Sequence, residues 1–307
     1  MEYTDSNSAG TLLVDFHVHS TASDGTETPR DLARRGRLFT AMALTDHDNT
    51  AGIAEFFAAP REPFAKNDPT FCRRVAGVEL SIDPGATFDK FHLLGLNIDP
   101  TNPEIHAFMK EVLAGRNARN ERILANFRRL GIEMDAPGDS VRAFANGEVL
   151  ARPHFARWLM QHGYAASIAE AFDTYLLPDS PAATRCFAPR YHPDRARAFA
   201  AVHAAGGLAV MAHPKYWRRY WKDTGPEYAD AARELAALKE MGLDGLEAHY
   251  EANTPEESVR FTQIADELGL LKTAGSDFHG RNKPTITLGM REDVRFIAPF
   301  LEAIGAR

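Results

Sequence analysis

Short apolar runs that end in histidine or a carboxylate, most of them leading into a helical pattern, recur along this chain and leave few folds open to it. The first is Val14-Asp15-Phe16-His17-Val18-His19, a β-branched and aromatic segment with one residue between its two histidines. Strand side chains alternate between faces, so both imidazoles point the same way, at a spacing that suits a metal ion. Asp24, on the Ser/Gly-punctuated turn that follows, can bring a hard oxygen ligand back beside them. Ala41-Met42-Ala43-Leu44 is apolar throughout, as strands buried on both faces of a parallel sheet are, and it runs into Thr45-Asp46-His47-Asp48. Three ionisable groups directly after a buried strand are costly unless solvated, capping or bound to a cation.

The pattern continues. Val75–Leu80 carries Glu79, Phe91–Ile98 has His92 at its start, and Leu208–Ala212 ends at His213-Pro214. Gly245–His249 follows, and Leu270–Ala274 leads into Gly275-Ser276-Asp277-Phe278-His279. Helix starts lie between these runs: Thr28-Pro29 opens a helix to Leu38, Thr50 caps one over 51–58, and Asn102-Pro103 opens a long one through Leu130 that stops at Gly131. Further helices are predicted over 193–205, 226–241 and from Thr254-Pro255 to Leu268. Seven short strands with helices between them predict an α/β barrel, in which chemistry gathers at the carboxyl ends of the strands. From about 99 to 190 the rhythm breaks into helical patterns alone, at 103–130, 153–162 and 167–176, joined by Gly/Pro/Asp-rich turns. The predicted organisation is a polar tail over 1–10, a barrel over 11–98 and 191–307, and a helical insertion over 99–190 that covers one side of the barrel and its active site.

Composition narrows the class. A chain of 307 residues with 44% hydrophobic and 25% charged content has the profile of a globular protein with a sizeable core. No apolar run approaches the roughly 20 residues of a bilayer span, so no membrane partner is expected and the chain reads as cytoplasmic. Cys72 and Cys186 stand far apart and outside any Cys-x-x-Cys pair, which predicts reduced thiols. A net charge of −7 argues against duplex DNA as a partner, because lysine and arginine drive that binding.

The strand ends together bring His17, His19, Asp24, His47, Glu79, His92, His213, Asp277 and His279 into play. These are ligand types for zinc, iron and manganese, and a shared glutamate can hold two ions close together, so a centre of two or three divalent metal ions is inferred. His-x-His-Ser-x-x-Ser-Asp-Gly, Thr-Asp-His-Asp, Gly-Val-Glu, His-Leu-Leu-Gly, Ala-His-Pro and Gly-Ser-Asp-Phe-His, in that order, resemble the PHP (polymerase and histidinol phosphatase) family of phosphoesterases. The resemblance covers almost the whole chain and implies a distorted (β/α)7 barrel. It further implies one ion on His17, His19, Glu79 and Asp277, a second on Asp24, His47 and His279, and a third on His92 and His213 with Glu79 as bridge. Asp46 and Asp48 are expected to support ligating rings or cap the chain.

Such a centre makes hydroxide available at neutral pH for attack on phosphorus, with Glu79 and Asp277 in the catalytic set. No Gly-rich phosphate loop or Gly-x-Ser-x-Gly elbow is present. In the insertion, Arg152 suits a pair of phosphate oxygens, and His154 is a candidate to bind phosphate or protonate the leaving oxygen. Related nucleotide phosphatases have a similar Arg-x-His-Phe-Ala stretch. Lys215, two residues beyond His213, is a second phosphate candidate. Arg116, Arg119 and Arg122 recur every third residue; such a stripe is usually a solvated face, with Arg116 and Arg119 the candidates to reach substrate. His106, His162, His192, His203 and His249 read as structural or surface residues.

The expected substrate is a small phosphorylated molecule, foremost a nucleoside 3',5'-bisphosphate losing its 3'-phosphate. A cyclic phosphodiester and short RNA trimmed from its 5' end are the alternatives, with histidinol phosphate behind them. A non-catalytic PHP module would lack ligands or carry a polymerase domain, and neither feature is present.

Overall fold

The structure is a computed structural model that describes residues 10–60, 72–83, 91–145, 150–189, 191–216 and 226–305, without the side chains of 226–230. The polar tail before Gly10 and the proline-punctuated loop after Pro60 lie outside the described residues. The chain divides into two compact units, residues 1–108 with 193–307 and residues 109–192.

The first unit is an eight-stranded sheet in the order β10-β1-β2-β3-β4-β7-β8-β9. Its members are β1 (Thr11–Asp15), β2 (Ala41–Leu44), β3 (Arg73–Ile82), β4 (Phe91–Leu96), β7 (Leu208–Met211), β8 (Gly245–Tyr250), β9 (Leu271–Gly275) and β10 (Met290–Asp293). β1 through β3 are parallel, as are β7 through β9. Beyond β1 and β9 the chain stays extended and the two segments pair: Phe16 N donates to Ala274 O at 3.0 Å, Asp277 N to His17 O at 2.8 Å and His19 N to Phe278 O at 3.0 Å. These bonds close the sheet into a barrel.

β4 departs from the βα rhythm, running antiparallel to both β3 and β7. Its amino-terminal end therefore shares a rim with the carboxyl ends of the six parallel strands, which is why His92 at the start of its strand joins residues at the ends of theirs. β10, a short polar strand antiparallel to β1, is the eighth strand, one more than the sequence pattern indicates.

Helices pack against the sheet: α1 (Pro29–Arg35), α2 (Gly52–Ala58), α6 (Arg195–Ala204), α7 (Pro226–Met241), α8 (Pro255–Leu268) and α9 (Val294–Gly305). Thr28 caps α1 by accepting from Asp31 N. Thr50 does not cap α2; Asn49 Oδ1 accepts from Ala51 N at 2.8 Å in its place, the two-residue reach of an Asx turn. Val14, Phe16, Val75, Leu94, Leu96 and Val210 form one buried cluster with Ile297, Phe300 and Ile304 of α9, and Phe16 meets Phe300 edge to face. Val75 and Glu79 share a strand face, as do Leu94 and His92, so one inward face is apolar along its length and ionisable at the rim.

The second unit holds most of α3 (Pro103–Arg129), α4 (Arg152–Gln161) and α5 (Ile168–Ala171), which continues as a π-helical turn over Phe172–Leu176. Gly131 stops α3 at φ +74°, a conformation glycine takes at no steric cost. The stretch also contains a two-stranded hairpin absent from the helical reading, β5 (Asp135–Ala136) with β6 (Asp139–Ser140). Its core gathers Ile123, Phe127, Phe155, Trp158 and Leu176.

Candidate metal centre

Glu79 is the hub. It is fully buried, and the isolated bridge between His47 and Glu79 extends the β2–β3 pairing to the rim. Across the antiparallel β3–β4 pair, Glu79 faces Leu94, which puts His92 on its diagonal. Glu79 Oε1 lies 2.7 Å from His92 Nδ1, 3.0 Å from His213 Nε2 and 3.4 Å from His17 Nε2. Its Oε2 lies 2.7 Å from His47 Nδ1 and 3.3 Å from His19 Nε2. Five imidazoles thus converge on one carboxylate.

Asp277 Oδ1 stands 3.4 Å from His19 Nε2 and 3.6 Å from His17 Nε2. Asp24, exposed on its turn, is 3.2 Å from His279 Nε2 and 3.7 Å from His47 Nε2. Four groups of side chains offer donor atoms within 4.8 Å of one another: His17/His19/Asp277, His19/Asp24/His47/His279, His17/Glu79/His213 and His47/Glu79/His92. All nine residues expected at the strand ends fall in these groups.

The fit to a cation follows from the atoms themselves. His17 Nε2, His19 Nε2, His47 Nδ1 and Glu79 Oε2 are buried and make no hydrogen bond, although each has a polar neighbour within 3.5 Å. Buried polar atoms left in that state are costly, and divalent ions facing their lone pairs would satisfy them. Burial raises the Glu79 and Asp277 carboxyls, yet the surrounding histidines hold both well below the usual carboxylate range. Burial pushes His92 down to about 4 and lowers His279, so these rings are neutral and ready to donate a lone pair. For His17 and His19 burial is outweighed by neighbouring carboxylates, and His19 rises to about 9. Two of the rim residues, His213 at φ +29° and Asp277 at φ +59°, hold the left-handed backbone that such side chains rarely adopt, a strain typical of functional positions.

Two residues missed in the sequence pattern stand here. Glu247 on β8 is fully buried, with Oε1 2.9 Å from His17 Nδ1 and Oε2 accepting from His213 N. Gly245-Leu246-Glu247 repeats the form of Gly77-Val78-Glu79, and that signal could have found it. Lys283, after the His279 turn, donates to Asp277 Oδ2. Asp46 holds the first loop through Ser20 N, Ser20 Oγ and Ser23 Oγ, and Asp48 accepts from Ser81 N. The ring-supporting role expected of this pair falls to Glu247 and, at His279, to the Asp277 carbonyl 2.8 Å from Nδ1.

Other sequence candidates have different surroundings. Lys215 follows His213 on a 3-10 turn, but its ammonium is engaged by Ala252 O and by Glu257 at 3.3 Å. In the second unit, His154 Nδ1 accepts from Ala151 N at 2.9 Å, and burial lowers the ring's pKa. When neutral, that ring carries its proton on Nε2. Arg152 opens α4 with Nη1 3.4 Å from Leu176 O and its guanidinium over Phe187. Of the α3 stripe, Arg122 is exposed, Arg116 half-buried and Arg119 buried, so the stripe is not one solvated face. His162 pairs with Asp139, His203 with Asp244 and His249 with Glu292, each a structural contact. Cys72 and Cys186 are buried thiols joined by no disulfide.

Comparison with known proteins places this geometry among phosphoesterases. No family model matches the chain. A 3',5'-nucleoside bisphosphate phosphatase of Chromobacterium violaceum is 32% identical over 283 residues, 92% of this chain and 92% of the relative. A 5'-3' exoribonuclease of Haemophilus influenzae is 33% identical over 271 residues, 88% of this chain and 90% of the relative. Among solved structures, a candidate metal-dependent phosphoesterase of Bifidobacterium adolescentis superposes with a TM-score of 0.66 at 29% identity, over 94% of this chain and 96% of its own.

Proposed function

The chain belongs to the PHP family of metal-dependent phosphoesterases, and from that premise we propose that it removes the 3'-phosphate of a nucleoside 3',5'-bisphosphate. It is a phosphoric ester hydrolase. The observation that carries the chemistry is the convergence of five imidazoles on Glu79 within 3.4 Å. What supports the substrate is similarity along nearly the full length of both chains to the bisphosphate phosphatase.

In this reading His17, His19, Glu79 and Asp277 would hold one divalent ion, and Asp24, His47 and His279 another. His92 and His213 would serve a third, with Glu79 as the ligand it shares with the first. Ions bound there supply Lewis acidity, which lowers the pKa of water from about 15.7 toward 7 and neutralises phosphoryl oxygens. The residues do the rest. Glu247 and the Asp277 carbonyl fix two rings so that Nε2 of His17 and His279 presents a lone pair. Tyr250 donates to Asp277 Oδ2, and burial raises its pKa, so it remains a donor at neutral pH.

Lys283 supplies the positive charge assigned to Lys215 on sequence grounds. It uses one contact on Asp277 and is partly exposed, which leaves ammonium donors for a phosphate oxygen arriving at the rim. Arg152 and His154 are read as further phosphate contacts, as the family resemblance implies.

Similarity of the same order to an exoribonuclease supports a second reading, trimming of short RNA from its 5' end. Phosphate release by the manganese-loaded protein from adenosine 3',5'-bisphosphate, 5'-AMP, a cyclic nucleotide and a 5'-phosphorylated RNA oligonucleotide separates them. Chelator-sensitive release from the bisphosphate, far above the others, is expected. Mononucleotide release from RNA, with the bisphosphate untouched, would move the substrate to RNA.

A further inference from the structure

We propose that Glu247 positions two ligands at once, fixing the ring of His17 and the backbone of His213, the two histidines that share a donor group with Glu79. The proposal rests on the metal-centre reading above. Glu247 accepts at both oxygens, from His17 Nδ1 at 2.9 Å and from the His213 amide. A carboxylate accepts only, so Nδ1 of His17 must carry the proton. When that ring is neutral its lone pair is therefore on Nε2, the atom 3.4 Å from Glu79 Oε1 and 3.6 Å from Asp277 Oδ1.

The other oxygen acts on the main chain. His213 sits at φ +29°, and a left-handed backbone at a side-chain-bearing residue persists only where its surroundings hold it. The hydrogen bond that its backbone N–H donates to Glu247 supplies that hold, with His213 Nε2 reaching Glu79 Oε1 at 3.0 Å.

Two features of the strands make room for this carboxylate. The β8–β9 register shifts between Glu247 and His249, an irregularity of the kind that re-aims a side chain beside a site. Gly275 on β9 lies against it: a Cβ there would collide with Glu247 Oε1 and come within 2.5 Å of His17 Cβ. A fully buried carboxylate costs several kcal/mol unless it is paired, and these contacts are the pairing.

The test is zinc binding by the full chain, read by competition with a chromophoric chelator and by two-bond proton–nitrogen spectra of the histidine rings in the zinc-loaded, ¹⁵N-labelled protein. In the wild type, His17 is expected to coordinate through Nε2 with a protonated Nδ1. Glu247→Gln keeps the volume but offers only one acceptor to two donors, and Glu247→Asp keeps the charge but is one methylene short of reaching both. Each is expected to weaken zinc about 10- to 100-fold, the usual effect of removing a partner behind a ligating ring, and to shift the His17 signals while far-UV circular dichroism is retained. Wild-type affinity in Glu247→Asp would reduce the residue to a charge and overturn the proposal, as would His17 coordination through Nδ1 in the wild type, a result that needs no variant to fold. Failure of the wild type to bind zinc would instead overturn the metal-centre reading.

Discussion

Tyr250 Oη stands 3.1 Å from Asp277 Oδ2, while the other oxygen of the same carboxylate faces the imidazoles of His17 and His19. The two oxygens of Asp277 thus have separate work. Oδ1 belongs to the donor cluster, and Oδ2 is held by a buried phenol and by the ammonium of Lys283. The carboxylate is anchored before any ion or substrate arrives, which is how a site keeps the cost of ordering out of each binding event.

From this division follows the effect of Lys283→Met. Tyr250 still anchors Asp277, so metal content measured by mass spectrometry stays at the wild-type level. The cation at the rim is lost, and KM for the phosphorylated substrate, with the inhibition constant of inorganic phosphate, rises about tenfold, roughly the 1.4 kcal/mol expected of a charge-assisted hydrogen bond at a part-exposed position.

Arg152→Ala tests the family-derived contact in the same assay. A guanidinium that grips phosphate through its fork should cost about 10- to 100-fold in KM with a smaller change in kcat. An unchanged KM would return Arg152 to its structural contacts with Leu176 and Phe187.

Metal affinity should rise with pH. Carboxylates around His19 raise its pKa to about 9 in the metal-free protein, so at pH 7 the ring carries a proton that an ion must displace. A raised folded-state pKa favours the metal-free fold fully below about 6.5, and that contribution is lost as pH passes through 9. Binding has the opposite slope in that window. Calorimetric titration in buffers of different ionisation enthalpy should record proton release at pH 7 and an affinity gain approaching about tenfold per pH unit for each proton displaced, flattening above pH 9.

Thr254→Ala probes the scaffold behind the site. Thr254 caps α8 by accepting from Glu257 N, and Glu257 Oε2 accepts from Thr254 N in return, a reciprocal pair that satisfies two amides at the helix start. Its loss should lower stability by about 1 kcal/mol in urea denaturation. Glu257 also engages Lys215, so a modest fall in activity would accompany it only through that turn.

Much of this was legible in the sequence because ionisable residues directly after buried apolar runs are expensive, and each such residue named a strand end. Most of the nine donor residues were read that way, Asp24 came from its turn beside the first strand, and the helix starts at Thr28 and Thr254 came from the Thr-Pro pairs that open them. The direction of β4 was not, since an apolar run looks the same in a parallel and an antiparallel strand; only His92 at its beginning hinted at reversal. β10 escaped because Met290-Arg291-Glu292-Asp293 has neither an apolar run nor alternation strong enough to mark a strand. Glu247 was hidden by resembling a solvent-facing residue of a half-buried strand, and Lys283 by standing in a loop whose path no periodicity fixes. The contacts of Lys215 were hidden for a related reason: proximity in sequence to His213 does not set where four methylenes carry an ammonium, and here it meets Glu257 and Ala252.

Glu79→Gln in the manganese-loaded protein, with metal content and phosphate release measured on one sample, tests most directly whether the ions of the proposed centre share Glu79. The amide keeps the size of the side chain but loses the charge that five imidazoles surround. The expected result is loss of bound manganese together with at least a thousandfold fall in turnover of the bisphosphate, in a protein whose circular dichroism is unchanged. Wild-type turnover by a variant depleted of metal would contradict a metal-borne reaction at Glu79.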